Sequence, residues 1–408
     1  MTESQAATVP HSGADEAQPT AWWAVAAATG CGIAVSMNIG KLAVALPLLR
    51  DELGLSLVAA GWLVATFNMI AMLSGIAMGI ISDRCGALRF CIAGMVMSLS
   101  GSLLAVAFGA SHSALLASRI IEGVGFIAVA ASAPALVSVA TRPHHRRLSL
   151  AVWSCFMPAG ACLCMATAPV ALAHGGWRGL WWLVIAIGAA TSAMLWLHRR
   201  AFAQVQAGPR HSMDDVTAAL RSSLPWWLSL AMAGYVIQFF TLVNWMPTYL
   251  REVRGLDGTT VAWLTAVVVG ANIPGNLLSG VLLHRGYSRG TVILTASALM
   301  LVFDLGIYSD VLNDGLRFAL CIALNLVGGT LPAAVNSSST ALAQRPQQVG
   351  TLQGLYMQSA NLAQFVGALA VAAAVAGAGG DWAAALWVIA PVAALSGLAG
   401  LRYRRSGL

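Results

Sequence analysis

Charge is what this chain has least of. Only 9% of its 408 residues are Asp, Glu, Lys or Arg, whereas 58% are hydrophobic. A water-soluble domain carries about a quarter charged residues, so the composition excludes a soluble protein and makes lipid the solvent. A Gly-x-x-x-x-Gly-Lys-Ser/Thr run is missing, which disfavours direct ATP hydrolysis. Metal-ligand spacing is missing too. The seven cysteines, Cys31, Cys85, Cys91, Cys155, Cys162, Cys164 and Cys321, read as small apolar fillers, and Cys162 and Cys164 point to different faces of one helix. No basic start precedes the first apolar run, so residues 1–20 are expected to be a polar disordered tail and not a signal peptide. A membrane enzyme would need clustered carboxylates or histidines at an interface, yet His144 and His145 lie among arginines. The expectation is therefore a protein that is not an enzyme and uses no cofactor and no metal.

What is present is a series of twelve long apolar stretches, at about 22–48, 57–81, 88–109, 113–140, 148–172, 178–197, 224–249, 260–283, 289–311, 314–341, 349–375 and 382–402. Within hydrocarbon every backbone donor and acceptor must be satisfied inside its own segment, so these stretches are read as helices 1 to 12. The second six repeat the first six. Pro47 and Glu52 recur as Pro247 and Glu252, 200 residues on, and Gly54, Trp62, Leu63, Gly79 and Arg84 recur as Gly255, Trp263, Leu264, Gly280 and Arg285, 201 residues on. The expected fold is all-α and polytopic, with twelve transmembrane helices in two pseudo-symmetric six-helix bundles over 21–197 and 223–402. Residues 198–222, with Gly208, Pro209, His211, Asp214 and Asp215, form the linker between them, and Met213–Arg221 suits a short interfacial helix. A tail covers 403–408.

The net charge of +7 follows topology rather than nucleic-acid binding. One set of loops holds Arg84, Arg89, Arg142, Arg146, Arg147, Arg199, Arg200, Arg210, Arg221, Arg285, Arg289, Arg345, Arg402, Arg404 and Arg405, and the other only Arg50, Arg178, Arg251 and Arg254. The positive-inside rule makes the first set cytoplasmic, with both termini inside.

After helix 2 the chain reads Gly79-Ile80-Ile81-Ser82-Asp83-Arg84-Cys85-Gly86-Ala87-Leu88-Arg89. This resembles the signature loop of the major facilitator superfamily: Gly, three residues, Asp-Arg, one residue, Gly, two residues, Arg. The resemblance implies a gating role for Gly79, Asp83, Arg84, Gly86 and Arg89, which would lock the two halves together on the cytoplasmic side. The second copy, Gly280-Val281-Leu282-Leu283-His284-Arg285-Gly286, has His284 in place of the Asp. Arg119-Ile120-Ile121-Glu122-Gly123-Val124-Gly125 resembles a second motif of the superfamily, with Glu122 where many members carry Gln. Gly176-Trp177-Arg178 resembles the turn into helix 6. The Gly-Pro-rich pattern of drug-efflux members is incomplete on helix 5, which offers Pro158, Gly160 and Pro169. The stretch from Asn38-Ile39-Gly40-Lys41 to Gly61-Trp62 is similar to the cyanate-permease-like branch.

Charges at membrane depth cost several kcal/mol and default to functional candidates. Lys41 in helix 1 lies roughly 9 Å outward of its middle, and Arg119 and Glu122 in helix 4 lie roughly 11 and 7 Å outward, at about 1.5 Å per residue. The three share a layer, so a Lys41–Glu122 or Arg119–Glu122 pair is expected to offset desolvation. Two cations against one carboxylate leave a positive site that suits a small anion. Glu122 is alternatively the proton carrier, or part of a structural ion pair. Asp304 stands alone near the end of helix 9, and Arg317 is close enough to the boundary to snorkel.

The resemblance implies that helices 1, 4, 7 and 10 line a central cavity. Tyr235, Gln238, Leu242 and Trp245 fall on one face of helix 7, and helix 11 is polar for a span, with Gln353, Tyr356, Gln358, Asn361 and Gln364. Preferred substrate contacts are Asn38, Lys41, Arg119, Gln238, Trp245 and Asn361, with Asn68 and Asn272 next. The expected function is a secondary transporter of the bacterial inner membrane, working by alternating access and taking up a small organic or inorganic anion with protons. The expected partners are that small-molecule substrate, protons and the lipid bilayer, with no nucleic acid, and the chain is expected to act as a monomer. The alternative is proton-driven efflux of drugs or metabolites, which would favour a wide aromatic cavity and an acid in helix 1. That acid is missing.

Overall fold

The computed structural model describes residues 19–203, 213–309 and 311–407; the side chains at positions 76, 79, 80, 83, 147, 213–215, 346 and 347 are not among those described. Among the described residues there is no strand. The first half comprises α1 (Trp22–Leu53), α2 (Leu57–Cys85), α3 (Ala87–Phe108), α4 (His112–Val139), then α5, which begins as Arg146–Ser154 and continues from Phe156, and α6. α5 and α6 share one run, Phe156–Leu197, of 42 residues. At about 1.5 Å per residue it would be about twice as long as a ~30 Å hydrocarbon core is thick. Gly175 (φ −156°, ψ 18°) and Gly176 (φ 55°, ψ −153°) interrupt it, leaving two spans, 156–174 and 177–197. The expected short helix Met213–Arg221 follows.

The second half comprises α7 (Leu224–Glu252), α8 (Gly258–Gly270 and Asn272–His284), α9 (Arg289–Ile307), α10 (Asp314–Gly328 and Thr330–Leu342), α11 (Pro346–Gly377) and α12 (Leu386–Arg405). Two spans expected to be continuous are thus broken, and proline explains both. A proline ring clashes with the carbonyl four residues before it and offers no N–H. Pro274 does this to Gly270 and Pro332 to Gly328, and the breaks fall one residue later, at Ala271 and Gly329. The breaks face each other. A Cβ on Gly329 would stand 2.5 Å from the Asn272 carbonyl oxygen, and the Asn272 amide donates to the Asn325 carbonyl at 3.1 Å.

The sequence repeat is also a repeat of turn geometry. α1 ends on Gly54 (φ 62°) and Gly255 (φ 63°) lies three residues after the end of α7, while Gly86 (φ 87°) and Gly286 (φ 88°) make the matching turns after α2 and α8. Glycine is favoured there because a Cβ resists positive φ. Ser56 then caps α2 by accepting from the Ala59 N–H, and Asp257 caps α8 by accepting from Thr259 and Thr260.

Small residues let the helices approach closely, as packing in lipid requires. A Cβ on Gly40 of α1 would lie 2.5 Å from the Ala161 carbonyl oxygen of α5, and one on Gly123 of α4 only 1.9 Å from that of Phe67 in α2. The halves meet along α2 with α11 and α1 with α7. Gly61 faces Ala368 and Ala372, the Trp62 ring meets Phe365 edge-on at 6.0 Å, and the Cys162 thiol of α5 reaches the Ala266 carbonyl of α8 at 3.3 Å. Exposed tryptophans mark both ends of the bundle: Trp22, Trp23, Trp196 and Trp226 at the end that carries Arg84, and Trp62, Trp182, Trp263 and Trp387 toward the end that carries Arg50. Such belts sit at headgroup level.

Candidate functional site

Lys41 is the only lysine in the sequence. α1 carries it one turn after Asn38, α4 carries Arg119 and Glu122 one turn apart, and α3 carries Ser98 and Ser102 on one face. These six side chains meet. The Lys41 ammonium donates to Glu122 Oε1 at 2.6 Å and to Ser102 Oγ at 2.7 Å. Ser102 donates to the same Oε1 at 2.7 Å. Arg119 takes the other carboxylate oxygen, Oε2, at 2.6 Å, and donates further to the Asn38 and Leu63 carbonyls at 3.0 and 3.3 Å. The Asn38 amide donates to Ser98 Oγ at 3.0 Å. Aromatic faces complete the shell, with Lys41 Nζ 4.7 Å from the Trp181 ring and the Arg119 guanidinium 4.4 Å from the Phe67 ring. Lys41 and Glu122 are 0% exposed and Arg119 is 3% exposed. Ions this deep persist only when pairing and hydrogen bonds offset desolvation; here every carboxylate oxygen is taken.

Both pairs named as alternatives by the sequence form at once, on opposite oxygens of one carboxylate. The partners lie in α1, α2, α3, α4 and α6, so the cluster is enclosed within the first half. Lys41 points toward α3 and α6, and the cluster forms no part of the cavity wall described below. Sequence reasoning missed Ser98, Ser102 and Trp181. The serines had a faint signal, since Ser98 and Ser102 are four residues apart beside Gly94 and Gly101 on an apolar helix.

The other expected contacts are not brought to this cluster. Gln238 and Trp245 are on α7 and Asn361 on α11, all buried. Gln238 and Asn361 spend their amide N–H on the carbonyls one turn back, Gly234 at 2.9 Å and Met357 at 2.8 Å. Among the described residues their amide oxygens have no partner, nor have the Asn68 oxygen on α2 and the Tyr356 hydroxyl on α11. These groups lie on the helices along which the halves meet. The Asn272 amide donates to the Tyr235 hydroxyl and to the Asn325 carbonyl, both at 3.1 Å. Asp304 is 1% exposed, and among the described residues no ion pair reaches it. In the signature loop Gly86 makes the turn and its N–H returns to the Ser82 carbonyl at 3.0 Å, while Arg84 and Arg89 are exposed. Gly79 and Asp83 fall outside the residues whose side chains are described.

The second half contains a cavity of about 760 Å³. Trp245, Tyr249, Tyr308, Phe318 and Trp382 wall it, with Thr241, Leu264, Arg254, Arg317 and Asp314 among the other lining residues. Arg254 pairs with Asp314 at 2.7 Å, and Arg317 donates to the Ser309 carbonyl. Trp245 is 1% exposed, and its indole N–H has no partner among the described residues.

Two six-helix halves repeated in tandem, the first enclosing an ion cluster at membrane depth, define a multi-pass membrane transporter and not an enzyme. Residues 28–368 match the sequence model of the Major Facilitator Superfamily, and the chain belongs to that superfamily. It is similar to a probable sulfoacetate transporter of Cupriavidus necator, 26% identical over 313 residues that make up 69% of this chain and 71% of that one. It is also similar to a 3-(3-hydroxy-phenyl)propionate transporter of Escherichia coli, 28% identical over 233 residues, 55% of this chain and 56% of that one. Its fold matches the crystal structure of a bacterial homolog to the human lysosomal transporter Spinster, with TM-score 0.74 and 16% identity, covering 95% of this chain and 98% of the other.

Proposed function

We propose that the chain takes up a small organic anion together with a proton, by alternating access. The observation that carries this reading is the placement of one carboxylate, Glu122, between two cations, Lys41 and Arg119, in a cluster sealed from water. The cluster holds a net charge of +1 (two cations, one carboxylate). An incoming carboxylate or sulfonate that takes the place of Glu122, while Glu122 takes a proton, leaves that sum unchanged: two cations, one anion, one neutral acid. Loading an anion alone would set a second carboxylate or sulfonate against the ionised Glu122 at the same two cations, and removing Glu122 alone would strand two cations, each several kcal/mol out of water. Anion and proton are therefore coupled by the cost of burying charge. The two similar transporters carry sulfoacetate and 3-(3-hydroxy-phenyl)propionate by their names, both small organic acids.

In this reading Asn38, Lys41 and Arg119 meet the anion when the first half opens to the cleft, and Gln238, Trp245 and Asn361 meet it from the second half. Gly79, Asp83, Arg84, Gly86 and Arg89 lock the cytoplasmic side. The protein works as a monomer in the bacterial inner membrane, with both termini in the cytoplasm and the bundles divided by the linker at 198–222. The test is uptake into proteoliposomes of sulfoacetate and 3-(3-hydroxyphenyl)propionate under an imposed inward proton gradient. Accumulation above the external concentration is expected for at least one anion. In Glu122→Gln accumulation is lost while counterflow exchange persists. If neither anion moves and cationic dyes are expelled instead, the anion reading is wrong and efflux replaces it.

A further inference from the structure

Two acceptors in the ion cluster compete for one hydroxyl proton. Ser102 accepts from Lys41 Nζ at 2.7 Å, and its oxygen lies 2.7 Å from Glu122 Oε1 and 3.4 Å from Asn38 Oδ1. A serine hydroxyl has one proton and two lone pairs, so it serves one of those two oxygens at a time. While Glu122 is ionised the carboxylate takes the proton, because a charge-assisted hydrogen bond is about twice as strong as a neutral one. Asn38 Oδ1 has no other donor among the described residues, and Asn38 is 0% exposed. Gly101 makes the contact possible. A Cβ there would stand 2.9 Å from Glu122 Cγ and 2.9 Å from the Glu122 backbone nitrogen, so α3 lies directly against α4 and delivers Ser102 to the carboxylate.

A protonated Glu122 reverses the demand, because its new O–H needs an acceptor. Three side chains hold this carboxyl group, Lys41, Arg119 and Ser102. Lys41 and Arg119 carry donors alone, so Ser102 Oγ is the one acceptor among the three. Ser102 then holds the Lys41 N–H on one lone pair and the Glu122 O–H on the other, and its own proton turns to Asn38 Oδ1. The charged and titratable groups facing the carboxylate are Lys41 from α1 and Arg119 from α4, with Cys164 of α5 in electrostatic reach of Lys41. From α2 and α6 come the Phe67 and Trp181 rings, which face the two cations.

We propose that Ser102 is a positioning residue for proton coupling: its hydroxyl points to Glu122 when that carboxylate is ionised and to Asn38 when Glu122 is protonated. It rests on the reading above, in which Glu122 carries the proton and Asn38 meets the anion, and it supplies the link between them. The loading proton comes from the outer medium and ends on Glu122 Oε1. Ser102 keeps its own hydrogen throughout and only rotates. The Asn38 amide N–H groups are already bound, to Ser98 Oγ and to the Val35 carbonyl, each at 3.0 Å. A donor arriving at Asn38 Oδ1 therefore fixes the last loose side of that side chain, so α1 registers the protonation of α4.

The test is infrared difference spectroscopy of the full-length protein in micelles at pH 7, on adding sulfoacetate or 3-(3-hydroxyphenyl)propionate, whose own carboxyl groups are ionised there. The native chain is expected to gain a carboxylic-acid C=O band with at least one anion, and Glu122→Gln to lack it. In Ser102→Ala the band stays and moves to higher frequency, because the acid O–H has lost its acceptor. In Ser102→Thr, which returns a hydroxyl, it moves back. Uptake driven by a proton gradient falls about tenfold in Ser102→Ala, the weight of one hydrogen bond left unmade in a buried site, and Ser102→Thr recovers it. A band at the native frequency in Ser102→Ala overturns the proposal and leaves the transport reading standing, and any loss of uptake is then a packing effect. Absence of the band from the native chain with both anions ends the proton-carrier reading of Glu122 and the role of Ser102 with it.

Discussion

Arg50, at the last turn of α1, is paired with Glu252, at the last turn of α7. The pairing is reciprocal, because Arg251 beside Glu252 reaches back to Asp51 at 3.6 Å. Each half gives one cation and takes one, so the two helix ends are crossed. Exposed pairs are worth about 0.2–1 kcal/mol each, and two in concert amount to about 1 kcal/mol, a roughly fivefold bias between conformations. Spin labels at Val58 and Thr259, with Asp51→Asn and Glu252→Gln introduced together, should show a longer-distance population enriched about fivefold. An unchanged distance distribution would mean that the crossed pairs are ornaments of the closed end.

The buried cluster predicts non-additive stability. Glu122→Gln strands two cations and should cost about 3–5 kcal/mol, while Lys41→Met leaves Glu122 paired with Arg119 and should cost less. The double variant should be more stable than the sum of the singles predicts, by about 0.5–3 kcal/mol. Thermal unfolding in micelles measures all three, and strict additivity would show that Lys41 and Glu122 do not act as a unit.

Lys41 carries the only side-chain amine, which makes it self-reporting. An amine-reactive succinimidyl ester should leave it unmodified in the resting protein, as 0% exposure requires. Modification, read by peptide mass spectrometry, should rise under turnover with anion and proton gradient. Rapid labelling at rest would contradict the sealed geometry, and protection throughout turnover would contradict opening of the cluster.

Two glycines should respond very differently to alanine. At Gly123 the added Cβ meets the Phe67 carbonyl oxygen at 1.9 Å, with no flexible side chain to yield, so Gly123→Ala should abolish the folded, monodisperse protein. At Gly54 the space is open and only φ resists, so Gly54→Ala should cost about 1–2 kcal/mol. Size-exclusion profiles and melting temperatures rank the two.

Asp257 supplies a pH signature at the start of α8. The Thr260 hydroxyl, donating at 2.6 Å, and then the Thr260 N–H hold its carboxyl below the usual carboxylate range. A carboxyl lowered in this way stabilises the fold above its unfolded value of about 3.9, and the benefit fades as pH falls through the folded value. Asp257→Ala should therefore lower the melting temperature at pH 7 and close the gap to the native chain toward pH 3. A gap that is constant with pH would assign the effect to packing.

The spans and the repeat were legible because each rests on a large local signal, a long apolar run or a Pro, Trp or Gly recurring at a fixed offset. Lys41, Arg119 and Glu122 were legible for the same reason, since charge at depth is costly. The serines that complete their shell are neutral and small, and nothing about a Ser in an apolar helix announces its neighbour. Which way Lys41 points was hidden because α1 is buried on nearly every side, and a helix with no exposed stripe has no readable face. The breaks in α8 and α10 were not legible from Pro274 and Pro332, because Pro134 and Pro247 sit inside α4 and α7 without ending them. The cavity was illegible altogether. Its wall draws on α7, α8, α9, α10 and the turn into α12, and a space between helices exists only after the helices are placed.

In the proposed cycle, enclosing an unbalanced positive charge within one rocking half has an electrical consequence. A unit charge that crosses a full 100 mV drop exchanges about 2.3 kcal/mol with the field, and rocking the first half carries its cluster through part of that drop. The resting voltage therefore acts as a load on the empty carrier and tilts it toward one end state before any substrate arrives. Because the proposed uptake of an anion with one proton leaves the cluster's sum unchanged, that tilt would be the same for the loaded carrier. Voltage then sets where the protein waits, and the concentration gradients set which way it works.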